Sequence, residues 1–253
     1  SRCCMEKQIF ERTHLLLGDR GMEYLSTVNV ILFGVGGVGS WCAESLVRSG
    51  VHHLTIVDMD KVDITNVNRQ LMATTKTVGE IKVEVMKERL GSINPNASIT
   101  SFCERYTSET RSMFNLSSYD YIIDAIDSVE DKVDLLVYAA NETNATVFSS
   151  MGAALKVNPN LIKTAEFWKV HGCPLASSLR RRLKREEIQL EKEVLCVFSD
   201  EKIDSSEDIA YSILENKQRI NGTLAHITAI FGLNLCGLLI QDVIKRTQYN
   251  KKL

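Results

Sequence analysis

Residues 29 to 46, NVILFGVGGVGSWCAESL, restrict the fold more than any other part of the chain. Four apolar strand formers, Val30, Ile31, Leu32 and Phe33, run into Gly34, Gly36, Gly37 and Gly39, and a helical pattern follows. A strand, a glycine turn and a helix in that order aim backbone N–H groups at an anion, and glycine lets that anion come close. Asp58 closes the next strand, 22 residues beyond Gly36, where an acid bonds a ribose hydroxyl. NAD and ATP both carry an adenosine with phosphates, so these features fit either.

The rest of the first 150 residues repeats the alternation. Strands are expected at Val28–Gly34, His53–Asp58, Ser98–Cys103, Tyr119–Ala125 and Ala145–Ser150, with helices near Gly37–Ser49, Val78–Ile93, Ser108–Leu116 and Val129–Asn141. An amphipathic helix, about Gln8 to Leu25, precedes them. The fold predicted is α/β: a Rossmann-like, mostly parallel sheet with helices on both faces. "LIKTAEFWKV" adds a C-terminal strand, antiparallel at the far side, and "VLCVFS" a further apolar run. The segment 222–246 is long enough to span a bilayer, but His226, Asn234 and Gln241 interrupt it. It reads as a terminal apolar helix packed on the core or a subunit interface, with no membrane insertion.

With 253 residues, 44% of them hydrophobic, the chain has material for a substantial core. Three units are expected: 1–170, a nucleotide-binding domain with an N-terminal dimer-contact helix; 171–221, a basic crossover and polar linker; and 222–253, the apolar helix. The net charge of −2 supplies no global drive toward nucleic acid or anionic membrane, so any such contact must be local. Seven cysteines without a CxxC pair make zinc unexpected, and without a secretory leader a reduced cytoplasm is the expected compartment.

The tie between cofactors is broken by "DMDKVDITNVNRQL", which places Asn66, Asn68, Arg69 and Gln70 within five residues. Lys82 follows on a helix. A guanidinium and an ammonium aimed at one site suit a triphosphate, whose charge a dinucleotide does not match. Asp124 and Asp127 then stand at the carboxyl edge of the fourth strand, where a carboxylate could hold Mg²⁺ against phosphates. Each residue alone has an ordinary reading: a salt-bridge partner for Arg69, a solvated helix face for Lys82, a turn or cap for Asp124. Together and in this order they point to ATP.

GxGGxG, DxD, NxNRQ, Lys and DxxD, in that order, resemble the ubiquitin-activating enzyme superfamily, whose bacterial members adenylate a carboxylate with ATP and release pyrophosphate. The resemblance implies that Gly34, Gly36, Gly37 and Gly39 cradle phosphate. Asp58 would bond the ribose, Asp60 and Asp124 are further cofactor-binding candidates, and Asn66 and Arg69, with Gln70 beside them, would grip the triphosphate. Lys82 would stabilise charge on phosphorus, and Asp127 would coordinate Mg²⁺. "ERTHLLLGDRG" is similar to a segment whose arginine reaches the partner's ATP across a homodimer, which makes Arg12 the candidate in trans.

The chain lacks the CxxC pairs usual in sulfur-carrier activators. "CPLASSLRRRLK" and "EVLCVFSDE" are instead similar to the tRNA threonylcarbamoyladenosine dehydratase branch. That likeness implies ATP-dependent adenylation of the threonyl carboxylate of threonylcarbamoyladenosine in tRNA, then ring closure with net loss of water. The alternative is an adenylyltransferase acting on the Gly-Gly end of a small sulfur carrier; a non-catalytic ATP-binding scaffold is a third reading. Arg180, Arg181, Arg182, Lys184 and Arg185 become tRNA-contact candidates, although Glu186, Glu187, Glu191 and Glu193 could balance them as a solvated face. Cys196 reads as a small buried hydrophobe or, through the likeness, a nucleophile. Cysteine desulfurase or sulfur-acceptor proteins then become candidate partners, and a monovalent cation stays open as a further ligand.

Overall fold

The computed structural model describes residues 2–203, 211–213 and 219–248. Helices α1 (Arg2–Ile9) and α2 (Glu11–Thr27) lead into β1 (Asn29–Phe33), α3 (Gly39–Ser49) and β2 (His53–Val57). Then come α4 (Lys82–Ile93), β3 (Ser98–Phe102), β4 (Tyr121–Asp124), α5 (Val129–Glu142) and β5 (Thr146–Ser150). The chain continues through β6 (Ile162–Glu166), α6 (Pro174–Arg185), β7 (Val194–Ser199) and the short hairpin β8 (Tyr211–Ile213) and β9 (Arg219–Asn221), and closes on α7 (Ala225–Gln248).

Seven strands form one sheet in the order β3-β2-β1-β4-β5-β7-β6. All neighbours are parallel except β6, which runs antiparallel to β7 at the far edge, as its sequence predicts. Alternation along β1 sorts two cores. Val30 and Leu32 join α2, α3, α4 and α7 on one face, while Ile31 and Phe33 join α5 and α6 on the other. Burial on both faces explains why the strand reads as a continuous apolar run.

The chain winds from β1 outward to β3, then returns to lay β4 on the other side of β1. The carboxyl ends of β1 and β4 therefore diverge, and ligands of open α/β sheets bind at such a point. Two glycines make the approach possible. Gly34 has φ 90, and a Cβ there would lie 2.4 Å from the Ala125 carbonyl oxygen; a Cβ on Gly39 would lie 1.7 Å from the Gly34 carbonyl oxygen. Gly232 performs the same service for α7, where a Cβ would lie 2.2 Å from the Val38 carbonyl oxygen. This helix is long and apolar enough to cross a membrane, but Phe231, Leu235 and Leu239 are buried in the first core.

Several expectations are corrected. The N-terminal helix is two helices meeting at buried Phe10, and Gly18 (φ 69) kinks the second. The helix expected from Val78 starts at Lys82, because Gly79 (φ 90) turns the chain and a bridge to Lys61 keeps Ile81 extended. No α-helix forms over 108–116. Thr107 and Thr110 each accept the other's backbone N–H on a hydroxyl, and left-handed Asn115 separates two short 3₁₀ turns. The boundary expected at residue 170 falls inside one body: α6 buries Ala176, Leu179 and Leu183 in the second core, and β7 lies between β5 and β6. Of the expected polar linker, 204–210 and 214–218 lie outside the described residues.

The glycine contacts give a paired test by urea denaturation. Gly39→Ala is expected to cost about 3 kcal/mol or more, since backbone must shift. Gly91→Ala, in the last turn of α4 with open space around it, is expected to stabilise by about 0.5–1 kcal/mol.

Candidate active site

Asp58, just past the end of β2, builds the floor of the site. Its Oδ2 accepts the Val35 N–H at 2.8 Å and its Oδ1 the Asp60 N–H at 2.9 Å, tying the glycine turn to the next strand. Burial pushes this carboxyl above its ordinary range, against the pull of those N–H groups and of Lys82. Each oxygen retains acceptor capacity toward a ribose hydroxyl.

The NVNRQ segment is pinned from two sides. Just before it, Asp63 caps a 3₁₀ turn by accepting the Thr65 N–H, and Asn66 Oδ1 accepts the Asp63 N–H at 2.9 Å. From α3, Trp41 Nε1 donates to the Arg69 carbonyl at 3.0 Å, and Ser40 Oγ accepts the Leu71 N–H while donating to the Gly36 carbonyl. The "SW" after the glycines thus holds the two motifs together. This role went unread in the sequence, although a hydroxyl in a first helical turn is a signal for it.

These anchors place two cations on a cleft of about 690 Å³ between the ends of β1 and β4. Arg69 donates to the Thr65 carbonyl at 3.0 Å and to Asn68 Oδ1 at 2.8 Å, and pairs with no carboxylate among the described residues. Lys82, at the first position of α4, is 5% exposed, and its nearest carboxylate oxygen, on Asp60, stands 3.6 Å away. Positive charge is therefore available to a ligand, and the N-terminus of α4 adds to it.

Gln70 carries the clearest sign of a missing partner. It is 7% exposed, it lines the cleft, and its Oε1 is the one buried side-chain acceptor without a hydrogen bond among the described residues. A buried polar atom left unmade costs about 1–3 kcal/mol, which a bound donor would recover. The side-chain amide stands against Gly36, where a Cβ would lie 3.6 Å from Nε2. An oxygen acceptor suits a hydroxyl or amino group of the nucleotide better than a phosphate oxygen, which refines the expected role of Gln70.

The structure brings Gly34, Gly36, Gly37, Asp58, Asp60 and Asn66 to the cleft, together with Arg69, Gln70, Lys82 and Asp127. Asp127 is exposed on its wall. Gly39 lies behind the turn, where it only permits close packing. Asp124, expected at the nucleotide, is fully buried against Lys132 and does not reach the cleft. Cys196, read as a small buried hydrophobe or a nucleophile, takes the first role: it is fully buried in the second core, and burial pushes its thiol far above the ordinary range, Lys132 pulling the other way. A thiol there stays protonated and unreactive. Arg12 is exposed on α2, away from its own chain's cleft.

Four parts of the wall escaped the sequence reading. Arg105 and Tyr106 follow β3, and their side chains bond Asp131 at 2.7 Å and Asp134 at 2.6 Å. Ser150 to Ala154, a run of mostly small residues after β5, lines the opposite side, and its position at a carboxyl edge was a usable signal. Leu155, at φ 59, donates its N–H to the Gly222 carbonyl and so ties that loop to the segment beside Asn221 and Thr223, which also face the cleft. Leu175, early in α6, brings that helix to the wall.

The chain belongs to the ThiF family, whose pattern matches residues 10–252. It is 38% identical over 243 residues to a tRNA threonylcarbamoyladenosine dehydratase of Bacillus subtilis, covering 93% of this chain and 94% of that protein. To the protein of that name from Escherichia coli it is 34% identical over 241 residues, 89% and 90% of the two chains. A crystal structure of the E. coli dehydratase in complex with ATP matches this fold with a TM-score of 0.85 at 31% identity, over 96% of each chain.

Burial sorts the thiols, and alkylation followed by mass spectrometry reads it. Native protein is expected to take label at exposed Cys4 and Cys103, whereas Cys42, Cys173, Cys196 and Cys236 react only after unfolding. Rapid labelling of Cys196 in the native state would contradict its burial.

Proposed function

We propose that this chain is an ATP-dependent tRNA threonylcarbamoyladenosine dehydratase. One observation carries the reading: a cleft that joins a glycine turn to two cations, Arg69 and Lys82, in a chain related over nearly its whole length to dehydratases. A threonyl carboxylate oxygen attacks the α-phosphorus of ATP, the bond to the bridging oxygen breaks, and pyrophosphate leaves. Ring closure onto the activated carbonyl then expels AMP, so the tRNA loses the elements of water.

Each residue's part follows from charge and position. Negative charge builds on the α-phosphate and the leaving group during attack, and Lys82 and Arg69 are preorganised cations for it. N–H groups beside Gly36 and Gly37, which line the cleft with no Cβ of their own, donate to phosphate oxygens. Asp58 takes the ribose, while Gln70 Oε1 accepts from a nucleoside donor. Asn66 Nδ2 is not engaged by the protein among the described residues and donates to phosphate. Asp127 supplies a hard oxygen ligand to the Mg²⁺ that accompanies ATP, which neutralises triphosphate charge when bound. We place Arg12 at the partner's site in a homodimer, because its own cleft lies out of reach. All described cysteines are free thiols, which fits the cytoplasm.

Not all of the expected basic cluster faces solvent freely. Arg180 turns inward, donating to the Phe167 and Val170 carbonyls at 3.1 and 2.6 Å, and Arg182 pairs with Glu186 at 3.0 Å. Arg180 is thereby used by the fold, while Arg181, Lys184 and Arg185 are exposed. Leu175 on the cleft and Lys184 lie nine residues apart on α6, about 14 Å along its axis at the usual rise. A tRNA whose modified nucleotide enters the cleft would thus lay backbone on these three cations.

Pyrophosphate release is expected with threonylcarbamoyl-modified tRNA and not with a small carrier protein ending in Gly-Gly; release with the carrier alone would give the activity to the sulfur-carrier class. Lys82→Ala is expected to lower release by at least about 10²-fold, while Cys196→Ala should retain it. Reversing charge at Arg181, Lys184 and Arg185 together should weaken tRNA binding and flatten its salt dependence by about one unit of slope per lost phosphate contact. An unchanged slope would remove α6 from the tRNA interface.

A further inference from the structure

Asp124 and Lys132 are both 0% exposed, and they meet at 2.6 Å beneath the cleft. Ser149 Oγ donates to the same Asp124 oxygen, Oδ2, at 2.6 Å. The other oxygen, Oδ1, accepts the backbone N–H of Ile126 at 2.9 Å. Lys132, in the first turn of α5, donates from Nζ to the Ile126 carbonyl at 2.8 Å. One residue therefore has its N–H held by the acid and its C=O held by the base of a single buried ion pair. The next residue is Asp127, whose carboxylate stands on the cleft with no protein partner among the described residues.

A buried ion pair is a poor device for stability alone, because desolvation cancels much of the attraction and apolar residues of similar volume often serve as well. This pair does what apolar residues cannot. The Ile126 carbonyl belongs to the peptide unit joining Ile126 to Asp127, so holding it sets the plane from which Asp127 departs. Ser128 extends the frame: its carbonyl accepts the Lys132 N–H at 2.9 Å, closing the loop onto α5. The stretch from Asp124 to Lys132 is thus a ring of contacts that carries the Asp127 carboxylate on the cleft at its outer edge.

We propose that the Asp124–Lys132 pair is a clamp that positions Asp127, and that Lys132 and Asp124 are positioning residues for the metal-bound triphosphate without touching it. The clamp rests on the reading of Asp127 as the Mg²⁺ ligand. Side chains that orient a ligand group from behind typically change metal affinity by about 10–100-fold when removed, with less effect on what the metal-free site binds.

The test uses the full chain and follows ATP binding by calorimetry, in EDTA and across a MgCl₂ titration, beside thermal unfolding. Three variants are compared: Asp127→Asn, the neutral pair Asp124→Asn/Lys132→Met, and Lys132→Arg. Single removal of Lys132 would leave a buried carboxylate unpaired, so the neutral pair is the cleaner probe. It is expected to bind ATP in EDTA within about threefold of the parent, yet to need about 10–100-fold more Mg²⁺ for half of the metal-dependent tightening. Asp127→Asn should show the same shift. If Asp127→Asn shifts the Mg²⁺ requirement and the folded neutral pair does not, the pair is only structural and the clamp is overturned. If Asp127→Asn causes no shift, the assignment of Asp127 falls and the clamp falls with it. Lys132→Arg keeps the charge but lengthens the reach, which covers failure of the neutral pair to fold. A several-fold rise in required Mg²⁺ supports the clamp, and an unchanged requirement overturns it.

Discussion

The structure depends on how closely β1 and β4 can approach where their paths diverge. At that point the chain leaving β1 must turn beneath the carbonyl of Ala125, and a Cβ on Gly34 would sit 2.4 Å from that oxygen. The helix that follows must start against the Gly34 carbonyl itself, which only Gly39 permits. Van der Waals exclusion at these two positions opens the cleft and aims α3 along it. Gly36 and Gly37, between them, line the cleft beside the side chains of Gln70, Thr228 and Arg69. Four glycines in one motif thus divide into two that close the fold and two that line the cleft.

Polar residues around the cleft divide in the same way. Asp58, Asp63, Ser40 and Trp41 spend hydrogen bonds on the backbone of the turn and of the NVNRQ segment. Their work leaves Arg69 with no carboxylate partner among the described residues, Lys82 with Asp60 at 3.6 Å, and Gln70 Oε1 without a donor. An anion with a hydroxylated sugar satisfies both deficits at once. Electrostatic preorganisation of this kind costs nothing at the moment of reaction, because the charges are already held.

Much of this was legible in the chain, because the relevant signals are local. A strand, a glycine turn and a helix declare themselves by period and by glycine spacing, and β6 by its own strand-like run. The site residues next to backbone turns, Asp58 and the NVNRQ set, were legible for the same reason. Asp124 was not. Its spacing from Asp127 matches a ligand pair, but the residue eight positions on, Lys132, lies one helical turn into α5 and takes the carboxylate out of the site. Cys196 and Arg180 were decided in the same way: one strand position points into the second core, as the buried-hydrophobe reading of Cys196 had it, and one helix position points at the carbonyls of Phe167 and Val170.

The sequence by itself determined the alternating α/β order, the glycine turn and the identity of the cations, since backbone sterics and hydrophobic period act over a few residues. Only the tertiary structure decided which charged groups remain free. A carboxylate or guanidinium is available to a ligand when no residue distant in sequence has already claimed it. Arg105 with Asp131, Lys132 with Asp124 and Arg180 with two carbonyls are claims made across the fold. Asp127, Arg69 and Lys82 are what those claims leave facing the cleft.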